Sequence, residues 1–116
     1  MCHVLVIEDE ALIAMFIEDV LLEHGATSVS VASTEEQAIA AAHLRRPDFI
    51  TSDVTLAEGS GIRAVTAIER EHGCLPVLFI TATPDGVRER APVHRVTSKP
   101  FDPRLVAHAF REMASA

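Results

Sequence analysis

Four places in this 116-residue chain carry side chains that could do chemistry together: Glu8-Asp9-Glu10, Asp53, Thr81 and Lys99. The three consecutive acids close an apolar run, HVLVIE, and repel one another unless a positive charge sits among them. Hard carboxylate oxygens suit Mg2+, which binds through one or two carboxylates and completes its shell with waters or phosphate oxygens. A carboxylate in such surroundings can attack phosphorus and become an aspartyl phosphate. The charge that develops on the moving phosphoryl group then calls for a cation, a lysine and hydrogen-bond donors. Asp53 fits the nucleophile, Lys99 the fixed positive charge and Thr81 a donor. No glycine-rich phosphate cradle follows any apolar run, so the phosphoryl group is expected from another protein rather than from a nucleotide. Taken singly, each residue has a plainer explanation: acids at a helix start, an Asp in a turn, a strand-favouring Thr, a solubilising Lys at a sheet edge. Only their convergence on one rim makes them chemical.

That convergence depends on the elements between them. Residues 3–8, 27–32, 47–53, 76–81 and 94–98 are short, β-branched-rich runs the size of buried strands. Residues 10–24 place Ile13, Phe16, Ile17 and Val20 on one helical face and stop at Gly25, a C-terminal cap. Residues 34–45 open on Ser33-Thr34-Glu35-Glu36, the spacing of a capping box. Helical patterns follow over 61–72, ahead of Gly73, and over 103–114, starting at Pro103. Five strands alternating with helices predict an α/β domain with a mostly parallel sheet covered on both faces. Function in such sheets lies at the carboxyl ends of the strands, where Glu8, Asp9, Asp53, Thr81 and Lys99 all fall. One interval, ATPDGVRERAPVHRV, leaves room for a fourth helix over about residues 84–90 only, because Pro92 disfavours helical backbone at Ala91. On the first helix Ala11, Met15 and Leu22 project away from the expected core face. The six histidines show no metal-ligand spacing and are expected at the surface, and Cys74 is expected as a small buried hydrophobe.

The bulk properties narrow the function classes. Residues 1–116 form one domain, and a hydrophobic content of 48% supports a real core. A net charge of −7 argues against a nucleic-acid partner, whose phosphates are bound by Lys and Arg. No apolar run approaches the roughly 20 residues needed to span a bilayer. Cys2 and Cys74 lack metal or redox spacing and fit a reducing compartment, so a cytoplasmic protein is expected.

At VLVIEDE, PDFITSDVTLAEGSGI, PVLFITAT and TSKPF the chain resembles the receiver domain of response regulators in two-component signalling, over essentially its whole length. The resemblance implies a flavodoxin-like (βα)5 sandwich with strand order 2-1-3-4-5. It implies that Asp53 is the phosphoacceptor and that Mg2+ is bound by Asp9, Asp53, the Thr55 backbone carbonyl and, through water, Glu8. Thr81 takes the place of the switch hydroxyl and Lys99 of the phosphate-contacting lysine, with a cis Lys99-Pro100 bond. The implied donor is a sensor histidine kinase or histidine phosphotransfer protein, met through the first helix at Ala11, Met15 and Leu22. The protein would catalyse only its own phosphoryl transfer and loss. With no output domain in this sequence, it is expected to act on a downstream effector by contact, to serve as a phosphate sink, or to be a receiver fragment of a longer protein. Two other readings stand beside this one: an interaction module independent of phosphorylation, and a small aspartyl-nucleophile phosphatase, although Thr55 occupies the position where such enzymes need a second Asp. Three departures from the family pattern stand out. Val96 replaces the usual aromatic, Leu56-Ala57 replaces Met-Pro, and the fourth helix is compromised. Together with IEDEALIAM and DVTLAEGSGI, these features are similar to receivers of the alphaproteobacterial general stress response.

Overall fold

The computed structural model describes residues 2–82, 84 and 94–114. Each apolar run forms a strand: β1 His3–Ile7, β2 Ser28–Ala32, β3 Phe49–Ser52, β4 Val77–Thr81 and β5 His94–Ser98. They pair in parallel in the order β2-β1-β3-β4-β5, as expected for a flavodoxin-like sheet. The helices are α1 Ala11–Glu23, α2 Glu35–Leu44, α3 Gly61–His72 and α4 Pro103–Ala114. The short helix expected near residues 84–90 falls, beyond Pro84, outside the described residues.

Alternation along the strands feeds two cores. Val4, Val6, Phe49, Leu78 and Ile80 meet α1 and α4 on one face. Leu5, Ile7, Ile50, Val77 and Phe79 meet α2 and α3 on the other. Side chains of successive strand residues point to opposite faces, so both faces of β1, β3 and β4 are buried and mainly apolar, as a parallel sheet requires.

Thr51 is the misfit. It lies between Val6 and Leu78 in the sheet, 1% exposed, and among the described residues its hydroxyl has no hydrogen-bond partner. A buried hydroxyl without a partner costs free energy that a methyl group of the same shape does not. Thr51→Val will therefore stabilise the fold by about 1 kcal/mol. A thermal melt should show Tm rising by about 4 °C for a chain of this size; an unchanged or lower Tm would show that the hydroxyl is satisfied in solution.

The α1 core face differs from the expected one. Ala14, Ile17, Val20 and Leu21 are buried, Ile13 is partly buried, and Phe16 stands 48% exposed. Residues 11–17 are all apolar, so polarity alone leaves the rotation of this helix undetermined. The small Ala14 takes the inward position. Leu12, Met15, Phe16 and Leu22 form an exposed apolar strip. The helix ends as expected at Gly25, at φ 118°, with the Ala26 N–H donating to the Leu21 carbonyl at 3.0 Å in a Schellman arrangement.

The α2 cap sits one residue later than the expected box. Thr34 accepts from the Gln37 N–H at 3.0 Å, while Gln37 Oε1 accepts from the Ser33 N–H at 3.0 Å. Two histidines expected at the surface are buried. His3 lies against the Ser28 and Ser30 hydroxyls, and His94 packs edge-on to Phe79 with Nε2 3.0 Å from Glu69 Oε2. Burial, reinforced by nearby Arg45, pushes the His3 imidazole below its ordinary pKa. Cys74, expected inside, is exposed in the turn after α3. Among the described residues no helix is long and apolar enough to cross a membrane.

Candidate functional site

The strand order determines which chain ends meet. With β1, β3 and β4 adjacent, the segments leaving their carboxyl ends share one crevice. The Asp53 N–H still bonds the Ile7 carbonyl at 2.9 Å, and the Glu8 N–H bonds the Ala32 carbonyl at 2.9 Å, so both acids leave the sheet from anchored backbone. On the other side the Lys99 N–H bonds the Thr81 carbonyl at 2.9 Å, which fixes the lysine to the end of β4. The Lys99-Pro100 bond is cis, as the resemblance implied.

Carboxylate oxygens of Glu8, Asp9 and Asp53 lie within 4.8 Å of one another. Lys99 Nζ reaches between them, 2.9 Å from Asp53 Oδ2, 3.0 Å from Glu8 Oε1 and 3.5 Å from Glu10 Oε2. The positive charge that three adjacent acids demand is thus partly supplied by the protein itself. Backbone donors take up further oxygens: Val54 N–H to Asp53 Oδ1 at 2.7 Å, Glu10 N–H to Glu8 Oε2 at 3.2 Å, and Ala57 N–H to Asp9 Oδ2 at 2.6 Å.

Burial sets the electrostatics. It pushes the Glu8 carboxyl above its ordinary pKa, and the adjacent Lys99 opposes part of that rise. For Lys99 burial works toward losing the proton, but hydrogen bonds to Asp53 and Glu8 outweigh it and raise the ammonium well above the usual lysine range. Lys99 therefore stays charged at any working pH. One ammonium among several carboxylates leaves the crevice negative. The donor set is oxygen only, and hard oxygens at this spacing fit a small divalent cation such as Mg2+.

Of the residues singled out in the sequence, Glu8, Asp9, Asp53 and Lys99 come together here. Thr81 is the last residue of β4 and is 3% exposed. Thr55 is exposed and forms an antiparallel bridge with Ser60 in the turn after β3. Val96 is half-buried against the second core. Sequence reasoning missed the parts that shape this turn. Gly61 opens α3 so close to β3 that a β-carbon would overlap the Asp53 carbonyl oxygen. No role at the site was read for the Ala57 amide, Ser60 or Glu35, although the spacing Glu58-Gly59-Ser60-Gly61 signals a tight turn.

Comparison with known proteins agrees with this geometry. The family model described as response regulator receiver domain matches residues 4–111. The phyllosphere-induced regulator PhyR of Methylorubrum extorquens is 38% identical over 109 residues, 90% of this chain and 40% of that protein, so this chain spans well under half of that relative. The solution structure of the Erythrobacter litoralis PhyR receiver domain superposes with a TM-score of 0.82 at 34% identity, covering 97% of this chain and 88% of that one. The crystal structure of the anti-anti-sigma factor PhyR from Bartonella quintana gives 0.81 at 36% identity, over 98% of this chain and 47% of that one. The likeness to general stress response receivers, suggested by IEDEALIAM and DVTLAEGSGI, is therefore borne out. Since the family match runs from β1 into α4, the chain belongs to the response regulator receiver domain family.

Proposed function

We propose that Asp53 accepts a phosphoryl group from a phosphohistidine on a sensor histidine kinase or histidine phosphotransfer protein. The observation that carries this reading is the contact of 2.9 Å between Lys99 Nζ and Asp53 Oδ2, inside a crevice that also holds Glu8 and Asp9. An Asp53 oxygen attacks phosphorus as the bond to the donor imidazole nitrogen breaks, and the bonding pair returns to that nitrogen. Lys99, permanently charged, holds the carboxylate oriented and then pairs with the new phosphoryl oxygens. Thr81 supplies a hydroxyl donor to them. Asp9, Asp53, the Thr55 carbonyl and, through water, Glu8 would hold Mg2+. When bound, that ion supplies positive charge where the phosphoryl oxygens gain negative charge.

The exposed strip Leu12, Met15, Phe16 and Leu22 on α1, the helix that follows the acidic residues, gives the donor's helices an apolar surface. It is broader than the Ala11, Met15 and Leu22 surface expected from the sequence, because Phe16 belongs to it. The phosphorylated protein then acts on a cytoplasmic effector by contact or returns its phosphate as a sink. In the presence of Mg2+, acetyl phosphate and the cognate phosphorylated kinase will each load a single phosphoryl group per chain, released by neutral hydroxylamine as an acyl phosphate is. No uptake from acetyl phosphate or from any host kinase would overturn the reading.

A further inference from the structure

The turn that follows Asp53 is held from two sides. On the crevice side the Ala57 N–H donates to Asp9 Oδ2 at 2.6 Å. On the far side it meets Glu35, the first residue of α2. The Glu35 N–H donates to the Glu58 carbonyl at 3.2 Å. Glu35 Oε1 accepts from the Ser60 N–H at 2.9 Å and from the Arg63 Nε–H at 3.0 Å. Gly59, at φ 100°, lies directly against this side chain: a β-carbon there would stand 2.5 Å from Glu35 Cβ and 2.8 Å from Oε1. Inside the turn, among the described residues, the only cross-links are Leu56 N–H to the Gly59 carbonyl at 3.3 Å and Gly61 N–H to the Val54 carbonyl at 2.9 Å, the two bonds that make the Thr55–Ser60 bridge.

A turn containing Gly59 and ending at Gly61 has little stiffness of its own. Its placement against the crevice therefore depends on what grips it from outside. Glu35 grips it by backbone and side chain at once, and Arg63, in the first turn of α3, holds the Glu35 carboxylate. The Ser60 N–H and the Arg63 guanidinium hold the Glu35 carboxyl below its ordinary pKa, so it stays ionised. With Asp9 Oδ2 engaged by Ala57, the other Asp9 oxygen remains for a cation.

We propose that Glu35 is a positioning residue for phosphoryl transfer: from outside the crevice it holds the 55–60 turn where Ala57 meets Asp9, and so sets the affinity of the acidic crevice for a divalent cation. This rests on the reading of Asp53 as phosphoacceptor. Asp9 is oriented by the Ala57 amide, and partners that orient metal ligands influence affinity nearly as strongly as the ligands themselves.

The test compares Glu35→Ala, Glu35→Gln and Glu36→Ala. Glu36 is the exposed acid beside it in the same first helical turn, so its loss controls for charge at the α2 N-terminus. In metal-free protein, Glu35→Ala will speed amide hydrogen exchange at Ala57 and Ser60 by about tenfold, the loss of one charge-assisted hydrogen bond. Its Mg2+ dissociation constant will rise by about tenfold. Labelling by acetyl phosphate will slow at low Mg2+ and recover at saturating Mg2+. Glu35→Gln keeps an accepting oxygen and will stay close to wild type, as will Glu36→Ala. Faster exchange with unchanged Mg2+ affinity would reduce Glu35 to a structural tie and overturn the proposal, as would a Glu35→Ala protein indistinguishable from wild type. If Glu35→Ala fails to fold, Gly59→Ala strains the same contact from the turn and must weaken Mg2+ binding likewise; unchanged affinity there is equally fatal. Should wild type itself take no label, the phosphoacceptor reading fails, while exchange and Mg2+ affinity still judge the role of Glu35.

Discussion

Asp53→Asn will reduce phosphoryl uptake to background without unfolding the chain. Asparagine keeps the shape of the side chain and an oxygen for the Val54 N–H, which the aspartate accepts at 2.7 Å. It loses the anionic oxygen that the proposed function assigns as the nucleophile, and a neutral amide does not attack phosphorus. The fold tolerates the change because two electrostatic effects oppose each other. Asp53 gives up its 2.9 Å pairing with Lys99, and Glu8 and Asp9 are relieved of a like charge within 4.8 Å. Lys99 retains Glu8 at 3.0 Å, so the buried acid keeps its partner. The variant will melt in metal-free buffer within a few degrees of wild type, while the rise in Tm on adding Mg2+ shrinks. Hydroxylamine-labile label on the asparagine protein would remove Asp53 from the mechanism.

Gly61→Ala will have the largest effect on the fold. The β-carbon would overlap the Asp53 carbonyl oxygen, with Ser52 Oγ at 2.5 Å and the Asp53 carbonyl carbon at 2.9 Å. Two of these three atoms are backbone at the end of β3 and cannot rotate aside. Ser52 Oγ–H donates to the Asp53 carbonyl at 2.8 Å, so moving one atom disturbs the other. Overpacking a buried contact costs about 1–3 kcal/mol and more where backbone must shift, and about 3 kcal/mol is expected here. Denaturant unfolding will show the loss as a lower midpoint with an unchanged slope. Phosphoryl uptake will fall by more than the loss of folded protein accounts for, because the displaced backbone carries Asp53, the proposed phosphoacceptor. Wild-type stability in the alanine variant would mean that α3 starts farther from β3 than described.

The strands were legible because burial on both faces favours short, mainly apolar runs rich in β-branched residues, and β1, β3 and β4 fit that pattern. The acidic crevice was legible for a related reason: like charges side by side after a strand have few inexpensive explanations. The rotation of α1 was not. Seven apolar residues in succession leave no polar face to mark, and the sheet selects Ala14 over Phe16 by size, a criterion absent from periodicity. His3 and His94 escaped for the opposite reason, since their burial depends on Ser28, Ser30 and Glu69, brought near only by folding. Gly61 and Glu35 act through contacts with backbone atoms, and such contacts leave little trace in residue type.

Glu8 follows the first strand and Lys99 the last, and β1 and β5 are not neighbours in the sheet, with β3 and β4 lying between them. A nascent polypeptide released from the ribosome only as far as β4 would own the nucleophile and lack the ammonium. Under the proposed function, such unfinished copies are poor competitors for the donor's phosphate.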